Sequence, residues 1–152
     1  MKILGLDPGT ATTGFAAIEK TAGQLTALDF GIISTRPRVS LENRLLEIAE
    51  NVAELLETHQ PDLVAIESLF FFKNQTTAFA VAQARGAILT EIARFQIPLT
   101  EITPLQVKMA VTGYGRADKK QIQKMVQQIF ALPKLPQPDD AADALAIAFA
   151  AS

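Results

Sequence analysis

The chain has 152 residues, 49% of them hydrophobic and 20% charged, an ordinary balance for a globular protein and enough chain to bury a core as a single domain over 1–152. It contains no cysteine, which excludes disulfides and thiolate metal sites and fits a reducing, cytoplasmic setting, and no apolar run approaches the roughly 18 residues of a membrane helix. A net charge of −2 argues against binding nucleic acid by bulk charge alone, and neither a secretory signal nor a transit peptide is visible before the first core residues.

Lys2 to Asp7 is an apolar run that stops at a carboxylate, and Pro8-Gly9 cannot continue it because proline lacks an N–H, so Asp7 stands where a buried strand ends. Gly14 to Ile18 follows after a short turn and Leu25 to Thr35 after the Thr21-Ala22-Gly23-Gln24 turn, which makes an antiparallel meander of three strands. Ser40 is the predicted N-cap of an amphipathic helix whose apolar set runs from Leu41 through Ile48 and Val52 to Leu56, and His59 at its end, before Pro61, reads as a surface histidine. Asp62 to Glu67 is a fourth strand. A helical crossover allows it to lie parallel to the first, so Asp7 and Glu67 share the carboxyl edge of the sheet, where α/β sheets place their ligands.

Phe70-Phe71-Phe72-Lys73-Asn74 is an aromatic loop beside these acids, suited either to stacking on bases, with Lys73 for a phosphate, or to packing inside the monomer. The predicted helix from Gln75 to Phe95 has apolar groups on every face, which calls for burial by another helix or a partner subunit. A fifth strand spans Ile97 to Ile102. Thr103-Pro104 then caps a short helix carrying Lys108, and Asp118 with Gln121 caps the next one. In that helix Ile122, Met125, Val126, Ile129 and Phe130 form the expected core face, with Lys119, Lys120, Gln123, Lys124, Gln127 and Gln128 on the polar arc. Three prolines between Leu132 and Pro138 separate it from a last, Ala-rich helix that opens with Asp139, Asp140 and Asp143. The fold class is α/β, a five-stranded mixed sheet with a meander followed by parallel βαβ units, flanked by helices.

Asp7, Glu67 and the last aspartates each have an ordinary role, as turn former, strand terminator and helix cap, but together they point to one acidic site. Between Gln106 and Lys134 six bases face one acid, a net of +5 that leaves −7 for the rest of the chain. A basic stripe beside an acidic cluster meets the needs of a phosphodiester enzyme, cations for the backbone and carboxylates for metal, although a solvated helix face has the same charges. Asp140 and Asp143 at i, i+3 and Asp139 and Asp143 at i, i+4 both fit one helix face, so spacing leaves the choice between them open.

In combination these motifs resemble the RuvC family of Holliday-junction resolvases over essentially the whole chain. They are Leu4-Gly5-Leu6-Asp7-Pro8-Gly9-Thr10 with Thr13-Gly14, Ala65-Ile66-Glu67 with Phe70 and Lys73-Asn74, Gln83-Ala84-Arg85-Gly86, Val107-Lys108, Val111-Thr112-Gly113 with Gly115, Ala117-x-Lys119, and Asp140-Ala141-Ala142-Asp143-Ala144-Leu145. Phe71-Phe72 makes the loop more aromatic than the family pattern, and Ala82 stands where glycine is typical. The resemblance implies a ribonuclease-H-like fold, a homodimer, metal-dependent paired nicking of four-way DNA junctions, and a branch-migration helicase complex as a further partner. It makes Asp140 and Asp143 the family acids and Asp139 the extra one. Oxygen-only ligands favour Mg²⁺, with Mn²⁺ as substitute, and Asp7, Glu67, Asp140 and Asp143 would hold two such ions. By the same resemblance Lys108 and Lys119 hold or neutralise the scissile phosphate, with Phe70, Lys73, Arg116, Lys120 and Lys124 as further DNA contacts. Two rival readings are a related RNA-processing nuclease and an actin-like ATP-binding domain, because Asp7-Pro8-Gly9-Thr10 also resembles the latter's phosphate loop. The ATPase reading lacks a second phosphate loop and a duplicated domain.

Overall fold

Alternate side chains of a strand point to opposite faces, and with Ile3, Leu4 and Leu6 all fully buried, both faces of the first strand have to be covered. The computed structural model describes residues 1–68 and 75–152. Among them, β1 (Lys2–Asp7), β2 (Thr12–Thr21), β3 (Gln24–Ser34), β4 (Leu63–Glu67) and β5 (Leu99–Ile102) form one sheet in the order β3-β2-β1-β4-β5. The first three strands are the expected meander, while β4 lies parallel to β1 and β5 parallel to β4. Helices α1 (Leu41–His59) and α2 (Gln75–Arg94) cover one face; α3 (Pro104–Thr112), α4 (Lys119–Ile129) and α5 (Asp139–Ala150) cover the other.

This layering decides where the acids point. Leu4, Leu6, Val64 and Ile66 pack with Ile48, Val52, Leu56, Ala84 and Ile88 on the α1 and α2 side. Ile3 and Ala65 pack with Val107, Ile122, Val126 and the Ala144–Ala148 segment on the other. Asp7 has the parity of Ile3 and Gly5, and Glu67 that of Ala65, so both carboxylates leave the sheet on the α5 side. Leu6 is paired with Ile66, which places the two acids one step further along adjacent parallel strands.

Helix α5 lies almost on the sheet backbone. A Cβ at Gly5 would sit 2.7 Å from the Ala148 nitrogen and 2.8 Å from the Ala148 Cβ, and one at Gly14 would run into the Asp140 carbonyl. Gly14 is the register partner of Asp7, so the contact that glycine permits is the one that sets Asp140 beside Asp7.

Several sequence expectations shift by a residue or more. β2 extends beyond Gly14–Ile18 in both directions because its ladder with β3 runs from Thr12 through the polar Glu19, Lys20 and Thr21 up to a two-residue turn, with Ala22 and Gly23 both at positive φ. Pairing of β5 begins only after Pro98, whose carbonyl still accepts from the Val64 N–H. Ser40 has an N-cap backbone conformation, but its hydroxyl accepts from the Asn43 side chain instead of capping a backbone N–H. The capping boxes of Thr103 with Gln106 and of Asp118 with Gln121 form as expected. Gln123, assigned to the polar arc of α4, is buried, because α5 and not solvent lies against that side of the helix. His59 is no plain surface residue either: its side chain is 13% exposed and its Nε2 lies 3.4 Å from an Asp29 carboxylate oxygen on β3.

The close approach of α5 makes a direct prediction. Overpacking of this kind costs about 1–3 kcal/mol, so Gly5→Ala and Gly14→Ala each lower the thermal midpoint by roughly 2–10 °C. A midpoint within 1 °C of the unsubstituted protein would mean that α5 withdraws from the sheet without cost.

Candidate active site

Asp7 ends a strand whose backbone then turns sharply, and the turn is tied to three other elements. The Thr13 hydroxyl donates to the Gly9 carbonyl at 2.7 Å, and the Thr10 hydroxyl donates to the Ala80 carbonyl of α2 at 2.5 Å. The Thr10 carbonyl in turn accepts from the Thr35 hydroxyl at 2.6 Å and from Arg44 Nη2 at 3.1 Å, while Arg44 Nε donates to the Thr35 hydroxyl at 2.8 Å. Each bond uses a polar group that is buried or partly so, which makes a satisfied network costly to break.

Glu67 is fixed through its main chain. Arg85, only 7% exposed, donates from Nη1 to the Glu67 carbonyl at 2.6 Å and pairs through Nη2 with Glu101 of β5 at 2.7 Å. A buried guanidinium with both partners in place locks the ends of β4 and β5 to α2. The motif around Arg85 gives it no task in the sequence; the signal there is an arginine within an otherwise small and apolar helical stretch.

Asp140 and Asp143 come from the first turn and a half of α5, whose positive helix end favours carboxylates. Side-chain oxygens of Asp7, Asp140 and Asp143 all lie within 4.8 Å of one another. Glu67 stands outside this trio but borders the same cleft as Asp143, Lys108 and Lys119. Among the described residues no carboxylate pairs with Lys108. Arg116, Lys120 and Lys124 are exposed, and Lys124 borders a separate groove with Tyr114 and Gln121. Phe70 and Lys73 lie outside the described residues.

Crowding of acids shows in their proton affinity. Burial first, then the charges of Glu67, Asp143 and Asp140, push the Asp7 carboxyl from the ordinary 3.8 up to about 8, against a smaller opposing pull from Lys119. Desolvation and Asp143 raise Glu67, and desolvation likewise raises Asp143 despite its contact with Lys119. The Lys119 ammonium, 3.1 Å from Asp143 and 3.4 Å from Asp139, is pulled down by desolvation, but the two carboxylates outweigh this and hold it above its ordinary value. Asp139 is turned away from the trio: its other oxygen accepts from Gln123 Nε2 at 2.6 Å. The geometry therefore separates the three last aspartates where spacing alone could not.

Carboxylate oxygens without imidazole or sulfur are hard donors, and the separation of the Asp7, Asp140 and Asp143 oxygens fits a divalent cation between them. The crowd of like charges is what such an ion would relieve.

A mixed sheet of this strand order, covered by helices on both faces and carrying its acids at the carboxyl end of the first strand, defines a ribonuclease-H-like nuclease domain. The family model described as "Crossover junction endodeoxyribonuclease RuvC" matches residues 3–151. Crossover junction endodeoxyribonucleases RuvC of Thermomicrobium roseum and Syntrophomonas wolfei are 52% and 51% identical to the chain, each over 97% of its length and over 90% and 86% of their own. The structure of T. thermophilus RuvC in complex with Holliday junction substrate superposes with a TM-score of 0.92 at 34% identity, covering 99% of this chain and 92% of that one. The chain belongs to the RuvC family of crossover junction endodeoxyribonucleases, and the actin-like and RNA-processing readings are set aside. No helix among the described residues is long and apolar enough to cross a membrane.

The raised Asp7 pKa has a consequence for stability without metal. The folded protein holds this proton more tightly than the unfolded chain does, so the contribution is complete below about pH 4 and is lost as pH rises through about 8. Asp7→Asn, which mimics the neutral acid, therefore raises the thermal midpoint of the metal-free protein at pH 8 by at least about 3 °C, and the gain is markedly smaller at pH 5. Unfolding scans in EDTA at the two pH values check this; equal midpoints at pH 8 would contradict the crowding.

Proposed function

We propose that this protein is a divalent-metal-dependent endonuclease that resolves four-way DNA junctions by paired, symmetric phosphodiester hydrolysis in recombination and repair. The observation that carries the reading is the convergence of Asp7, Asp140 and Asp143, the last of which lines a cleft with Glu67, Lys108 and Lys119, in a chain of this family. The RuvC structure from T. thermophilus is a complex with Holliday junction substrate, and this chain takes the same class of substrate.

Asp7, Glu67, Asp140 and Asp143 are the proposed metal ligands. Asp7 feels the charge of all three others, so it stands at the centre of the acids that would hold the metal. Mg²⁺ is the proposed physiological ion and Mn²⁺ a substitute; held by these carboxylates, such an ion would supply a more acidic attacking water and positive charge for the leaving oxygen. Lys108 and Lys119 line the same cleft and would offset the negative charge that builds on the phosphate. Attack of the water oxygen on phosphorus breaks the bond to the 3′ oxygen, leaving a 5′-phosphate and a 3′-hydroxyl. Arg116, Lys120 and Lys124 extend the basic face for backbone contacts, and Phe70 and Lys73 act at the junction by resemblance.

Two active sites are needed for paired cuts, and α2 offers the surface to bring them together. Its inner residues Ala84, Ile88 and Ile92 are buried in the monomer, but Phe79 is 79% exposed and Val81 and Ala82 are partly so. We assign the homodimer interface to this face. One domain over 1–152, a cytoplasmic location and a branch-migration helicase complex as partner complete the reading.

Incubating a synthetic four-way junction, matched duplex and structured RNA with Mg²⁺ or EDTA tests the class. Selective paired nicking of the junction is expected with Mg²⁺ alone, and equal cutting of duplex or RNA would defeat the proposal. Asp7→Asn abolishes cleavage by at least about a thousandfold and leaves junction binding intact, since the lysine contacts persist; parallel loss of binding in a gel shift would contradict the assignment. Ala82→Glu places a charge in the apolar face of α2 and yields monomers in sedimentation at micromolar concentration, whereas the unsubstituted chain sediments as a dimer.

A further inference from the structure

Asp139 is an acid that the metal site does not use, and its surroundings give it a task. Lys119 and Gln123 stand at i, i+4 on α4, and Asp139 and Asp143 at i, i+4 on α5, so two helix faces meet as a ladder. Lys119 Nζ bridges the two rungs, 3.1 Å from Asp143 and 3.4 Å from Asp139. Gln123, only 7% exposed, donates at 2.6 Å to the Asp139 oxygen that Lys119 does not contact. Asp139 is thus oriented by one residue and paired by another.

Lys119 occupies an unfavourable place for a cation. It is the first residue of α4, where the partial positive charge of the helix end repels it, and the N-cap Asp118 spends its carboxylate on the Gln121 N–H. Without metal, Asp143 is its nearer counter-ion. Once Asp143 becomes a metal ligand that partner is shared with a dication, and among the described residues Asp139 is the only other carboxylate in contact with Lys119.

We infer that Asp139, oriented by Gln123, is the positioning residue that keeps Lys119 at the scissile phosphate when Asp143 is taken up by the metal. The inference rests on the proposed role of Lys119 in facing that phosphate. The ammonium exchanges one of two carboxylates for the phosphate and retains the other, so it stays in the cleft without a rearrangement of α4. A helix-capping role for Asp139 would account for its place in the first turn of α5, but it would not account for a buried glutamine directed at it.

A double-mutant cycle on junction cleavage at saturating Mg²⁺ separates these roles. Asp139→Asn is expected to lower kcat about three- to tenfold with KM changed less than about twofold, and Gln123→Met to act in the same direction more weakly. In a Lys119→Met background Asp139→Asn should have less than about a twofold further effect. A crystal structure of the Mg²⁺-loaded protein without DNA supplies a readout independent of turnover, with Lys119 Nζ expected within hydrogen-bonding distance of Asp139 and withdrawn from Asp143. Additive losses in the cycle, or a loaded structure in which Lys119 has left Asp139, would overturn the inference and leave the wider assignment standing. If Lys119→Met cleaves at the unsubstituted rate, the reading of Lys119 itself fails and the inference falls with it.

Discussion

The contact between α5 and the sheet governs the rest of the molecule. A helix that rests on β-strands through ordinary side chains stays about 10 Å away; here Gly5 and Gly14 remove the side chains on one side and a run of alanines reduces them on the other. The Asp140 carbonyl rests against Gly14, whose register partner is Asp7. Two acids far apart in the chain are therefore held together by backbone packing, not by any attraction of their own. That is necessary, because their own interaction is repulsive.

The protein tolerates this repulsion by surrounding it with satisfied structure. The turn after Asp7 is bonded to α1, α2 and the end of β3, and Arg85 fixes the Glu67 main chain. These bonds join rigid elements, so the acids are held together despite their repulsion, and the unfavourable electrostatic energy stays in the folded state. In the absence of metal part of that need is met internally by Lys119. The Lys119 ammonium is the positive charge that the structure itself sets against the crowded acids.

Asymmetry between the two faces of the sheet serves the same end. Bulky aliphatic side chains from α1 and α2 pack on one face and set the stiffness of the platform, whereas the other face accepts α5 closely and leaves room beyond it for α3 and α4 to form the cleft wall. Lys108 and Lys119 project from that wall, on helices whose starts are held by the capping boxes of Thr103 and Asp118.

Much of this is legible in the sequence itself. An apolar run broken by Asp7-Pro8, a second ending at Glu67 and a crossover helix before it allow a parallel pair, and once the two strands are parallel their direction and pleat put both acids at one edge. The capping boxes were equally local, since three residues and two side chains specify each. What the sequence could not decide was anything that depends on which surface meets which. Spacing allowed Asp139 or Asp140 beside Asp143, and only the seat of α5 on Gly14 turns Asp140 to Asp7 and Asp139 to Gln123. Gln123 reads as a solvent-facing residue and His59 as a surface histidine until α5 and β3 are laid against them. Periodicity reports how a segment divides its own faces, but burial belongs to pairs of segments, and the choice among pairs is made only when the whole chain packs.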